Sequence, residues 1–128
     1  MKKYLVLALC LLILTVGHAQ NYTEYFADKT LRVDYIFTGD VSCQNVCLDE
    51  LSVLPSWAGR RHHLAELPLQ GNGQIIMKDL ESGKTVYTTS FSSLFQEWLE
   101  TDEAKVISKG FENTFLLPYP LRDRKSVV

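Results

Sequence analysis

Histidine is scarce in this chain: His18, His62 and His63 are the only three among 128 residues. General-base and nucleophilic catalysis lean on histidine more than on any other side chain, so few catalytic constellations are open. Cysteine is equally rare, at three, too few for the disulfide framework that small exported domains use. Basic charge is short as well. Thirteen Lys and Arg stand against 15 Asp and Glu, a net charge of −2, and a nucleic-acid partner requires a basic face. Gly71-Asn72-Gly73 lacks the Gly-Lys-Ser/Thr ending of a phosphate loop and reads as a tight turn using a positive φ.

What is present begins with an export signal. Lys2 and Lys3 precede an uncharged apolar run, Tyr4 to Val16, and Gly17-His18-Ala19 supplies small residues where cleavage occurs. The run is shorter than the roughly 20 residues a membrane-spanning helix needs. Residues 1–19 are therefore expected to be a signal peptide, with Cys10 a filler inside it. The mature part, 20–128, is expected outside the cytoplasm: secreted, periplasmic or on the cell surface, with no membrane segment after cleavage. Losing Lys2 and Lys3 leaves eleven basic residues against 15 acids, a net charge of −4. This length supports one domain with one core.

The mature part reads as short strands. Leu31, Val33, Tyr35 and Phe37 alternate with Arg32, Asp34 and Ile36, the period-2 pattern of a strand with one buried face. Asn21 to Lys29 reads as a lead-in, and Gly39-Asp40 as the turn that ends the strand. Val46 to Leu54 fits a strand, or a helical turn flanking one. Gln74 to Lys78 and Lys84 to Phe91 form a hairpin around Asp79-Leu80-Glu81-Ser82-Gly83. Pro68 demotes the segment around Leu67 and Leu69 to an edge strand or loop, and Pro118 and Pro120 are expected to stop a strand at Phe115-Leu116-Leu117. Phe91, Leu94, Phe95, Trp98 and Leu99 make one helical stripe, with Ser93 as N-cap and Gln96 completing a capping box. The expected fold is mainly β: an immunoglobulin-like β-sandwich with one short inserted helix, truncated at its C-terminus. A truncated end leaves a sheet edge unpaired, so a marginal or self-associating fold is expected.

Candidate sites are few. Cys43 and Cys47 are either a disulfide closing a very short loop or two free thiols. With His62 and His63 they make a poor zinc set, because adjacent histidines point different ways. Arg60-Arg61-His62-His63 reads as a basic loop carrying solvated charge. Trp57, between Pro55 and Gly59, is equally a packing residue and a recognition residue. Together Trp57, Arg60 and Arg61 form the candidate contact loop. No catalytic, cofactor-binding or metal residues are assigned.

Long strings carry a family resemblance. Tyr25 to Asp40, Leu54-Pro55-Ser56-Trp57-Ala58-Gly59-Arg60-Arg61, Gly71-Asn72-Gly73-Gln74, Ser90 to Trp98 and Gly110 to Pro120 resemble, in order, the N-terminal domain of M64 peptidases of gut Bacteroidetes. The resemblance covers about residues 22–120. It implies a secreted zinc metallopeptidase, one branch of which is named for cleaving immunoglobulin A. In that family an N-terminal β-sandwich precedes a catalytic domain that holds zinc through a His-Glu-x-x-His helix. No such spacing exists here, so this chain is expected to be a non-catalytic accessory domain. Its zinc is expected in an absent catalytic domain. Its partners would be that domain and a host glycoprotein, with no nucleic acid. The alternative is a stand-alone secreted module that binds protein or glycan.

Overall fold

A computed structural model of the chain describes residues 21–66, 70–121 and 124–127. The expected signal peptide, with Cys10 and His18, and the Leu67-Pro68-Leu69 segment lie outside them. The elements in order are helix α1 (Tyr22–Tyr25), strands β1 (Phe26–Gly39), β2 (Gln44–Pro55), β3 (Gly73–Asp79) and β4 (Thr85–Phe91), helix α2 (Leu94–Trp98), a 3₁₀ turn (Glu103–Lys105), and strands β5 (Lys109–Pro120) and β6 (Arg124–Val127).

The strands make two antiparallel three-stranded sheets, ordered β2-β1-β5 and β4-β3-β6. Their facing sides enclose the core. Phe26, Val33 and Leu117 come from the first sheet, Ile75 and Met77 from the second, and Leu64 from the loop between them. A mainly β sandwich with one short helix between strands is therefore what the alternating pattern produces. The register explains the core face. Val33 lies opposite Phe115 and Leu51, and Phe37 opposite Phe111 and Val46, so one row of side chains crosses all three strands. Aromatic rings continue this row at one end of the core, with Phe91 and Phe115 centred 4.7 Å apart and Phe37 touching both.

Local signals explain most boundaries. Gly39, at φ 128°, ends β1. The hairpin closes through Gly83, at φ 68°, whose N–H donates to the Asp79 carbonyl at 2.9 Å. Gly71, at φ 79°, makes the turn before β3, and a Cβ there would fall 2.3 Å from the Phe91 carbonyl oxygen.

Three details differ from expectation, and a fourth settles an open alternative. Asn21 to Lys29 is no loose lead-in: Asn21 caps α1, and β1 starts at Phe26. Val46 to Leu54 is wholly strand. Pro118 and Pro120 do not stop β5, which runs through them. Proline removes an N–H, and a sheet-edge strand tolerates that loss on its outer side. The helical stripe is only partly realised. Ser93 does cap α2, its Oγ accepting from the Gln96 N–H at 3.3 Å. However, Phe91 belongs to β4, and Leu94 is 69% exposed. The reciprocal half of the capping box is replaced, since Asn72 Oδ1 takes the Ser93 N–H at 2.9 Å. Five helical residues are held by these tertiary bonds, because so short a helix has little stability of its own.

Candidate functional site

The loop after β2 was expected to offer Trp57, Arg60 and Arg61 for contact. The structure buries Trp57, lays Arg60 against the core and holds Arg61 half-exposed at the surface. Trp57 is 7% exposed, stands edge-on to Tyr87 at 6.1 Å, and donates its Nε1–H to the Arg60 carbonyl at 3.0 Å. Its backbone N–H donates to Asp28 Oδ1 at 3.0 Å. Gly59 is required beneath the indole: a Cβ there would lie 2.1 Å from the ring.

The two arginines are tied down rather than solvated. The Arg60 guanidinium lies 4.7 Å from the centre of the Tyr87 ring, and its Nη2 donates to the carbonyls of Leu64 and Thr88. Thr88 N–H in turn donates to the Leu64 carbonyl at 2.8 Å. The loop thus satisfies both backbone groups of Thr88 on the outer edge of β4. Arg61 lies 4.7 Å from the Tyr22 ring centre and pairs with Asp28 at 2.6 Å. The Trp57 N–H and the Arg61 side chain hold the Asp28 carboxyl below its ordinary range. Burial pushes the Tyr87 hydroxyl upward, and the nearby Arg60 charge opposes that shift. An arginine whose neighbours are aromatic rings and carbonyls packs as a staple. The sequence holds no local signal for this, because Tyr87 and Thr88 lie 27 and 28 residues beyond Arg60.

His62 and His63 sit at the exposed rim of the same loop, and His63 adopts φ 51°. Cys43 and Cys47 are free, exposed thiols. Extended chain between them separates their Cα atoms by roughly 13 Å, beyond the roughly 7 Å a disulfide spans. Among the described residues no three His, Cys, Asp or Glu side chains come together as a metal would require.

The surface that stands out instead is β2. All but one of its twelve residues are exposed. Val46, Leu48, Leu51 and Val53 lie opposite Phe37, Tyr35, Val33 and Leu31, hence on the core-facing side. Yet they are 51%, 55%, 54% and 51% exposed. The second sheet roofs β1 and stops short of β2. A cleft of about 330 Å³ opens where the roof ends, over Phe37, Phe91 and Phe95, with Val46, Gln44 and Gln96 at its rim. Exposed apolar side chains scattered singly are ordinary; a row of four on one strand face marks a contact surface.

Hydrogen bonds to one carboxylate tie the turn leading into β2 together. Asp40 Oδ1 accepts from the Ser42 N–H at 2.8 Å and the Cys43 N–H at 3.1 Å, and Oδ2 accepts from Ser108 Oγ at 2.6 Å. The Ser108 and Ser42 hydroxyls, with those backbone N–H groups, hold the Asp40 carboxyl far below the ordinary carboxylate range.

Residues 21–127 match the family model described as peptidase M64 N-terminus. The chain belongs to that family. The M64 N-terminal match runs past Pro120 through β6. Comparison with curated proteins gives no match. The zinc implied for M64 peptidases does not fit the residues of this domain, where the adjacent, exposed His62 and His63 find no third ligand among the described residues.

Proposed function

We propose that this chain is a non-catalytic N-terminal accessory domain of an exported, IgA-type M64 zinc metallopeptidase. It holds the peptidase domain, or the glycoprotein that domain cuts, in position. The observation that carries this reading is the family match over 21–127, which spans both sheets. The uncovered row Val46, Leu48, Leu51 and Val53 supplies a surface for that work. Zinc belongs to the peptidase domain in this reading, and no hydrolytic step is assigned to the residues here. A stand-alone module binding protein or glycan through Trp57, Arg60 and Arg61 is less well supported, because Trp57 and Arg60 are spent inside the domain and Arg61 is paired with Asp28.

The test has two parts. Reading the gene downstream should reveal a His-Glu-x-x-His segment, and its absence would remove the partner this reading needs. Purified mature chain with added zinc should show no peptidase turnover. Turnover abolished by His62→Ala would overturn the reading.

A further inference from the structure

β2 combines three things found together nowhere else among the described residues. It has a free strand edge, a row of unroofed apolar side chains, and unpaired charge of one sign. An antiparallel strand points about half of its backbone N–H and C=O groups away from its partner. β1 takes one edge of β2, and no strand among the described residues lies on the other. The other terminal strand that borders the loop, β4, has its outer edge occupied by Leu64 and Arg60. Asp49 and Glu50 sit at the centre of β2, both exposed and without an ion-pair partner among the described residues, and Glu50 lies opposite Asp34.

We infer that β2 accepts an extended polypeptide strand from a partner, one whose alternating apolar residues continue the Val46–Val53 row and whose central residues are basic. Main-chain hydrogen bonds supply affinity in such strand addition, and alternate side chains supply selectivity. The acidic centre decides between occupants. A second copy of this chain, paired antiparallel over the full strand, would set Asp49 and Glu50 against their own counterparts, and like charges directly opposite are destabilising. The irregularity in pairing opposite Asp34 and Tyr35 further discourages indiscriminate pairing. Neither device covers the four Val and Leu side chains, which a purely defended edge would replace with polar ones. The inference rests on the accessory-domain reading only in taking the partner to be a polypeptide.

The experiment titrates purified mature chain with three synthetic nine-residue peptides. The first alternates valine with threonine around two central lysines. The second replaces those lysines with glutamates, and the third carries N-methyl groups on alternate backbone amides. Backbone amide shifts and hydrogen exchange report the site. The lysine peptide should slow exchange across residues 44–54 and bind about tenfold more tightly than the glutamate peptide. N-methylation should remove binding, and Asp49→Lys combined with Glu50→Lys should reverse the lysine preference. Equal binding of the N-methylated peptide, protection at another edge, or no binding by any peptide would each overturn strand addition. So would a dimer whose β2 amides are protected without peptide. None of these outcomes touches the accessory-domain reading, which stands or falls on the downstream gene and the inertness of the chain.

Discussion

β4 and β2 are both terminal strands of three-stranded antiparallel sheets, and the protein finishes them in opposite ways. β4 is short and has no exposed residue. Its outer edge is closed by a loop that bonds Leu64 to Thr88 and lays Arg60 across Tyr87. β2 is nearly twice as long, exposed almost throughout and open along its edge. Both strands carry apolar side chains facing the same interior. The difference lies in what stands opposite: a covering loop in one case, none of the described residues in the other. A sheet edge is therefore finished by the rest of the chain and not by the composition of its own strand.

The sharpest way to break the closed half is through its core. Met77, fully buried beside Tyr87 of the neighbouring strand, should cost about 2–5 kcal/mol when changed to alanine, read from a denaturant melt. Next, Arg60→Ala removes a charged donor from two carbonyls and a cation from the Tyr87 face, for about 2 kcal/mol. Arg60→Lys should recover little of this in the same melt, because an ammonium lacks the planar fork. Ser93→Ala, which strips the cap of α2 beside the cleft, should cost about 1 kcal/mol.

The turn entering the open half has an acid signature. The Asp40 carboxyl is depressed in the folded state, so its stabilising contribution is complete above its ordinary range near 3.8. It is lost as pH falls below that value toward the folded one. Asp40→Asn should therefore flatten the loss of stability between about pH 4 and pH 2, measured by thermal melts across pH. The smallest effect sharpens the contrast. Leu48→Thr and Leu51→Thr, on the uncovered row, should each change stability by no more than about 0.5 kcal/mol. A loss as large as that of Met77→Ala would mean that β2 is covered after all.

Much of the fold was legible from pattern. The alternation from Leu31 to Phe37, the hairpin around Gly83 and the cap at Ser93 are local, and each appears where its chemistry demands. Pro118 misled because a proline's cost depends on whether its strand lies at an edge, and edge position is not local information. Trp57 was undecided for a related reason: a tryptophan between proline and glycine reads equally as packing or recognition until Tyr87 is known to stand against it. The candidate contact surface was the least legible part. Val46 to Leu54 reads as an ordinary strand, and nothing in it says that the second sheet ends before reaching it.

The sequence by itself determined the class of this protein. Its periodicity specifies paired strands, its three histidines form no His-Glu-x-x-His motif, and its strings carry the family. Those properties are local or compositional, so they survive without coordinates. The tertiary structure alone decided which apolar strand is covered and which is bare, and which arginines are staples and which groups remain free to bind. Burial is a relation between distant segments, set by where two sheets overlap, and no single strand encodes its own roof.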